Sequence, residues 1–135
     1  MKSLDTSVLA RFFIDDSEDP QAAKQRPSAI RAMSDRSFIS VTVVLEFEWV
    51  MRGFYKMSRA EITRVFNALV GIAHIAVEDR AAVLTAIDAY HHGLDFSDAL
   101  HHAKSVRCAA LLSFDRAFAK RAKVQNLLPP VVLLS

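Results

Sequence analysis

Four carboxylates, Asp5, Glu46, Asp98 and Asp115, are of the residue type that binds divalent metal and lie where side chains can meet. Asp5 closes the first predicted strand, and Asp115 follows the later predicted strand AALLS. Ligands of open α/β sheets bind at the carboxyl ends of the strands. We therefore expect the carboxylates of Asp5 and Asp115 to meet at that edge of a sheet.

Asp98 and Glu46 lie on predicted helices. Asp98 is in the first turn of the helix in LDFSDALHH, where the helix dipole favours any acid, so a structural role also accounts for it and still more for Asp95. Glu46 and Glu48 both lie in the nearly apolar segment VTVVLEFEWV. Residues two apart point about 200° apart on a helix, so only one of these glutamates can face a given pocket. Periodicity alone leaves the choice between them open.

The chemistry of converging carboxylates is metal binding. Mutual repulsion would raise their pKa values and destabilise the fold unless cations neutralise them. Oxygen ligands without Cys or convergent His suit Mg²⁺ or Mn²⁺ better than Zn²⁺. Such ions orient a phosphodiester and help to deprotonate water. Each acid alone has a structural explanation, and only the complete set predicts a site of this kind.

Basic side chains accumulate close to the last two acids. The whole chain has a net charge of only +2, but residues 98–123 hold six Lys or Arg against two acids. This local excess is typical of a surface that meets a polyanion, although a solvated helix face explains the charge equally well. The candidates for contacts with the backbone of such a polyanion are Lys104, Arg116, Lys120 and Arg121.

The composition predicts one compact domain without a disulfide. The 135 residues, 52% of them apolar, fall in the usual range for one domain of about 100–150 residues. The single cysteine, Cys108, cannot form an internal bridge, and the N-terminus enters no long apolar segment, so we expect a cytoplasmic protein. No apolar run approaches the roughly 18 residues of a membrane helix, and we expect no membrane partner.

Alternating strands and helices must position the four acids. Short apolar segments predict strands at 2–5, 37–40, 73–77, 109–113 and 131–134. Periodicity and capping residues predict helices that start at Thr6 and at 19–34, 42–55, 58–71, 79–91, 97–106 and 115–122. Thr42 is the expected N-cap of the helix at 42–55, and Ser58 with Glu61 forms a capping box. The order predicts an α/β fold, a three-layer α/β/α sandwich with a mainly parallel central sheet.

Four sequence blocks resemble a PIN domain. They are SLDTSVLAR, VTVVLEFEWVMR, LDFSDALHHAKS and LLSFDRAFAKRA, and they occur in the order expected of that family. The resemblance runs from near residue 3 to about residue 122, which is almost the whole chain. The chain thereby resembles the VapC-like toxins of type II toxin–antitoxin systems. This resemblance implies a single PIN domain over 1–135 with a flavodoxin-like fold.

The resemblance also implies a Mg²⁺-dependent endoribonuclease in which Mn²⁺ can substitute. The four acids of the family fall, in order, on Asp5, Glu46, Asp98 and Asp115. The match favours Glu46 over Glu48. Thr6 matches the small hydroxyl residue beside the first acid, and Ser113 matches the Ser or Thr before the last. Metal-activated water would attack a backbone phosphorus and leave a 5′-phosphate and a 3′-hydroxyl. The implied protein partners are a cognate antitoxin and a second copy of the chain.

Several further residues have structural explanations. The pairs His91-His92 and His101-His102 do not suit one zinc ion, because neighbours on a helix point about 100° apart. Cys108, without a nucleophile-and-base grouping around it, is expected to be a small buried residue. Most aromatic residues of the first and third helices are assigned to the core, with one or two at an interface with a second copy or an antitoxin. They are Phe12, Phe13, Trp49, Phe54 and Tyr55.

Three other classes of protein compete with a nuclease. A receiver domain of signalling proteins carries paired acids after its first strand and a lysine at a late strand end, whereas Asp5 is single and Asp115 occupies the late position. A phosphoryl-transfer hydrolase with Asp-x-Asp at the first strand does not fit, because Ser7 lies two residues after Asp5. A catalytically silent PIN-fold module that binds RNA or protein is the remaining alternative, and the presence of all four acids weighs against it.

Overall fold

Short parallel strands alternate with helices along the chain. The computed structural model describes residues 1–135, which divide into two units, Met1–Arg80 and Ala81–Ser135. The first unit contains β1 (Lys2–Ser3), α1 (Thr6–Phe13), α2 (Pro20–Ser34), β2 (Ser37–Ile39), α3 (Val41–Trp49), a π-helix (Val50–Phe54), α4 (Arg59–Val70) and β3 (Ile75–Val77). The second contains α5 (Arg80–His91) from its second residue onward, and α6 (Phe96–Ala103), β4 (Leu111–Ser113), α7 (Arg116–Val124) and β5 (Val131–Leu133). A helix capable of spanning a membrane is not found among them.

Each unit has its own parallel sheet. In the first, the strand order is β1-β2-β3, with Lys2 opposite Ser37 and Ser37 opposite Ile75. In the second, β4 pairs with β5, and Leu111 lies opposite Val131. The predicted α/β class and all five strand positions are confirmed. Every strand is shorter than predicted by one or two residues.

The core of the first unit fixes the direction in which α3 faces. Val44 and Phe47 are buried, and the ring of Phe47 packs edge to face against Phe66 of α4 with the ring centres 6.2 Å apart. Because Val44 and Phe47 occupy the core face of the helix, Glu46 between them is directed away from it and is exposed. The packing of α3 thereby presents a carboxylate to solvent.

The core of the second unit holds the start of α6. Leu94 and Phe96 are fully buried, and Phe96 packs edge to face against Tyr90 of α5 with the ring centres 5.5 Å apart. These contacts anchor the first turn of the helix, which contains Asp98. The position predicted for Asp98 in a first helical turn is confirmed.

Among the helix boundaries that differ from the prediction are the start of α3 and the end of α6. The N-cap of α3 is Ser40, whose hydroxyl accepts the backbone N–H of Val43 at 3.3 Å, and the expected cap Thr42 is already helical. The helix predicted at 97–106 ends at Ala103, and Val106 is 69% exposed. Ser105 donates its hydroxyl to the carbonyl of the residue four before it, a bond that competes with continuation of a helix.

The capping box of α4 is confirmed, and its acid makes stability depend on pH. The backbone N–H and the side chain of Ser58 hydrogen-bond to Glu61 and lower the pKa of its carboxyl from 4.5. A lowered pKa stabilises the fold above the unfolded value and loses that stabilisation as pH falls through the folded value. Since glutamine caps but does not titrate, we expect urea unfolding to find Glu61→Gln less stable than the unsubstituted chain at neutral pH, with the difference shrinking below pH 4.5. Glu18→Gln, at an exposed carboxyl outside any helix, should not show this convergence.

Candidate active site

The carboxylate of Asp5 is open to a ligand. Asp5 is the N-cap of α1, with extended backbone, but its side chain accepts no capping bond from the helix. An N-cap aspartate normally accepts a backbone N–H two or three residues ahead. Here its Oδ2 instead accepts the hydroxyl of Ser7 at 3.2 Å, and the residue is exposed. The carboxylate is therefore not consumed by capping.

Glu46 shares a pocket with Asp5, whereas Glu48 does not. Both Asp5 and Glu46 line a cavity of about 350 Å³ in the first unit. The buried hydroxyl of Thr6 donates a hydrogen bond to Oε1 of Glu46, which orients this carboxylate and leaves Oε2 for another partner. Glu48 is buried and accepts a bond from Nε of Arg52 at 2.9 Å. Of the two glutamates, only Glu46 has the exposure and the neighbours of a metal ligand.

Three acids lie at the starts of α6 and α7 in the second unit. Asp95 is the N-cap of α6 and accepts the backbone N–H of Asp98 at 3.2 Å. Asp115 is the N-cap of α7 and accepts the backbone N–H of Phe118 at 3.1 Å. The hydroxyl oxygen of Ser113 accepts the backbone N–H of Asp115 at 3.0 Å, so this side chain fixes the turn between β4 and α7. Of the three acids, Asp98 is the one that caps no helix.

The surroundings of Asp98 disfavour the charged form of its carboxyl. Burial raises the pKa of its carboxyl, and the negative charges of Asp95 and Asp115 raise it further. His101 and Arg121 act in the opposite direction and only partly offset these effects. A carboxylate repelled by two others is stabilised when a cation binds among them.

Substitution of Asp95 tests whether its charge raises the pKa of Asp98. Asparagine caps helices as well as aspartate does, so we expect Asp95→Asn to keep the stability of the fold. The pKa of Asp98 should fall in this variant, because one repelling charge is gone. Titration of the Asp98 carboxyl carbon by NMR measures that shift. Asp95→Ala, which removes the cap as well, should cost about 1 kcal/mol of unfolding free energy. An unchanged Asp98 pKa in Asp95→Asn would show that Asp95 does not act on it.

The acids offer only oxygen donors. In neither unit do three or more His, Cys, Asp or Glu side chains form a group arranged to hold a metal ion. Mg²⁺ commonly binds proteins through one or two carboxylates, with water and substrate phosphates completing its shell. The pair of Asp5 and Glu46 in one pocket, and Asp98 beside Asp115, meet that requirement. The donor set therefore fits a hard divalent ion.

The four cations predicted to contact RNA are all exposed. Lys104 follows α6 directly, and the other three lie on α7, whose N-cap is Asp115. They are Lys104, Arg116, Lys120 and Arg121. Three exposed cations therefore lie on the helix that starts at Asp115, and their contact with RNA stays a prediction.

The histidines and the cysteine are structural or exposed. The ring Nε2 of buried His102 lies 2.8 Å from the carbonyl oxygen of Pro129, so this imidazole is part of the core of the second unit. Cys108 is exposed in the turn after α6, and the prediction that it is buried is wrong. The segment before β4 turns through a bond from the Cys108 N–H to the Ser105 carbonyl at 2.9 Å, so the strand begins only at Leu111.

Arg11 was not predicted and lines the same pocket as Asp5 and Glu46. Its Nε donates to Oε1 of Gln25 at 2.9 Å, and its Nη1 donates to the hydroxyl oxygen of Tyr55 at 3.1 Å. The one signal in the sequence is that Arg11 follows Ser7 by four residues on α1, so that both lie on the same helix face.

Comparison with known proteins identifies the family. Neither a curated protein nor a solved structure matches the chain. A family model described as PIN domain matches residues 3–124, a segment that includes both pairs of acids and the whole of α7. PIN domains are generally metal-dependent nucleases that bind divalent ions such as Mg²⁺. The chain belongs to the PIN domain family.

Proposed function

We propose that this PIN domain is a Mg²⁺-dependent endoribonuclease whose metal ligands are Asp5, Glu46, Asp98 and Asp115. The observation that carries the proposal is the acidic group around Asp98. Burial and two neighbouring carboxylates raise the pKa of Asp98, and a divalent cation would remove that cost. The open carboxylates of Asp5 and Glu46 support it, because neither is consumed by a helix cap or an ion pair.

The residues of the chain divide the work of hydrolysis between them. When bound, a divalent ion such as Mg²⁺, or Mn²⁺ in its place, supplies positive charge that activates water and neutralises charge developing on the phosphate. Thr6 orients the carboxylate of Glu46, and Ser113 orients the backbone of Asp115. Lys104, Arg116, Lys120 and Arg121 hold the RNA backbone without reading its sequence. Water as the nucleophile leaves a 5′-phosphate and a 3′-hydroxyl.

The test is cleavage of a labelled single-stranded RNA by the purified full chain. We expect cleavage with Mg²⁺, none with EDTA, and recovery when Mg²⁺ or Mn²⁺ is added back in excess. Asp5→Asn should lose activity. The matched control is Asp88→Asn, which removes a 77% exposed carboxylate elsewhere in the chain and should retain activity. Cleavage that persists in EDTA or in Asp5→Asn would rule out this chemistry, and binding of RNA without cleavage would indicate the catalytically silent module.

We further propose that the chain is the toxin of a bacterial toxin–antitoxin pair, acts in the cytoplasm as a homodimer, and is neutralised by a cognate antitoxin that covers the acidic pocket. The similarity of its four blocks to VapC-like toxins supports this role. Induced expression of the unsubstituted chain is expected to stop growth of a bacterial host, and expression of Asp5→Asn is expected to leave growth unchanged. Co-expression of the product of the adjacent gene should restore growth and copurify with the chain. If expression of the active chain does not change growth, the toxin role is contradicted, but the nuclease proposal is not.

A further inference from the structure

The pocket beside Asp5 and Glu46 has an aromatic wall that the hydrolysis step does not use. Trp49 and Phe54 both line it, and the two residues are 60% and 67% exposed. Large aromatic side chains bury most of their surface in most proteins, and exposed apolar patches mark interaction sites. Because both aromatic side chains line the cavity that contains the acids, a ligand with a flat apolar surface fits there.

The backbone leaves room for the Trp49 indole on one side. Trp49 is the last residue of α3, and the π-helix that follows brings Gly53 next to its ring. A Cβ on Gly53 would lie 3.6 Å from Cε2 of Trp49, so the ring lies close to the π-helix at this glycine. With 60% of the residue exposed, a large part of the ring surface remains open to solvent. The indole therefore offers an open face in the pocket that contains Asp5 and Glu46.

The third element of the pocket is a cation without an acidic partner. The guanidinium of Arg11 is held by Gln25 and by Tyr55, and both acceptors are neutral oxygens. No carboxylate lies within ion-pair distance of it, although the pocket contains Asp5 and Glu46. An arginine oriented in this way has donors left for an anion, and its planar fork matches a phosphate.

We propose that this pocket binds one nucleotide of an unpaired RNA strand, with its base stacked on Trp49 beside Phe54 and its phosphate bound by Arg11. The inference rests on the proposed ribonuclease function, in which the next phosphodiester of that strand reaches the acids. A flat apolar wall combined with a fixed, uncompensated cation matches a nucleotide, which has an aromatic ring and a negative charge. The base of a duplex is not free to stack in this way, so the pocket selects single-stranded RNA.

Trp49 is the only tryptophan, which makes its fluorescence a direct measure of stacking. The measurement uses the full-length Asp98→Asn variant, in which the substitution suppresses cleavage, in the presence of Mg²⁺. A single-stranded RNA hexamer should quench its Trp49 emission saturably. Inorganic polyphosphate, which carries the charge but no bases, should bind without quenching, and a blunt RNA duplex should not quench. Emission that stays constant while the labelled hexamer is shown by anisotropy to bind would overturn the proposal.

Variants separate the base contact from the phosphate contact. By anisotropy, Trp49→Leu should weaken hexamer binding about 5- to 150-fold, and Trp49→Phe should retain most of the affinity. Arg11→Gln should lower the slope of log affinity against log salt by about 0.7, as expected for one lost phosphate contact on a single strand. Arg31→Gln, on the exposed surface of α2, removes the same charge and should leave the slope unchanged.

The two proposals fail in different ways. If the hexamer quenches Trp49 but the unsubstituted chain does not cleave RNA, the nucleotide-pocket proposal is supported and the nuclease proposal is contradicted. If the unsubstituted chain cleaves RNA but neither Trp49→Leu nor Arg11→Gln affects RNA binding, the nucleotide-pocket proposal is contradicted and the nuclease proposal is supported. If Trp49→Leu binds RNA normally but no longer forms a complex with a second copy or with an antitoxin, the aromatic wall is a protein interface and the nucleotide proposal is wrong.

Discussion

Replacing Asp98 by asparagine is expected to slow RNA cleavage by more than about 100-fold, because loss of groups that only support metal ligands already costs about 10- to 100-fold. Asparagine keeps the shape of the side chain but removes the charge that would attract Mg²⁺. The cap of α6 is Asp95, so the substitution leaves the helix start intact. The loss should therefore appear in the rate of cleavage and not in the amount of folded protein.

The same substitution should stabilise the chain when no metal is present. The pKa of Asp98 is raised above 3.8 in the fold, so the folded state binds its proton more tightly than the unfolded state does. Stability therefore falls as pH rises from 3.8 through the raised value, and the charged form carries the full penalty above it. Thermal melting in EDTA at neutral pH should give Asp98→Asn a higher melting temperature than the unsubstituted chain. Mg²⁺ should raise the melting temperature of the unsubstituted chain more than that of the variant. A variant that melts lower in EDTA would contradict the electrostatic account of this acid.

Glu46 and Glu48, two residues apart, are expected to respond to the same substitution in opposite ways. Glu46→Gln should reduce cleavage at least about 10-fold with little change in stability, because the side chain is exposed and an amide oxygen can still accept the Thr6 hydroxyl. Glu48→Gln should retain cleavage and lose about 1 kcal/mol of unfolding free energy, since the ion pair with Arg52 becomes a bond from the guanidinium to an uncharged amide oxygen.

The pair of variants acts as its own control. Both remove one negative charge from α3, so a general effect of charge on RNA binding would appear in both. Cleavage rates at saturating Mg²⁺ and urea unfolding curves measure the two effects separately. Equal loss of activity in both variants would show that α3 contributes through its structure or its charge and not through one ligand.

Local sequence predicted the elements of the fold well where short apolar segments alternate with helical periodicity. Each of the five strands is in its predicted place, and the helix with the predicted capping box starts directly after Ser58. The π-helix after Trp49 was not predicted, because apolar residues at helical spacing through 42–55 do not show where a helical turn widens. The exposure of the segment before β4 was missed for a similar reason, since an apolar composition does not show where a strand begins.

The site was predicted to different extents at different residues. The positions of Asp5, Asp98 and Asp115 followed from strand ends and helix starts, and their metal-binding role stays a prediction. The choice between Glu46 and the neighbouring glutamate could not be made from periodicity, because it depends on which side of α3 packs against α4. Arg11 could not have been assigned, since its two partners lie 14 and 44 residues away in the sequence.

The exposed thiol of Cys108 gives the chain a single point of attachment in the second unit, and Trp49 gives it a single intrinsic fluorophore in the first. A dye on that thiol labels the unsubstituted sequence at one known position, and the indole reports from the other unit without any substitution. Binding of RNA to either unit can therefore be followed in the same sample. The residue whose burial was wrongly predicted is then the one that makes the second unit visible in solution.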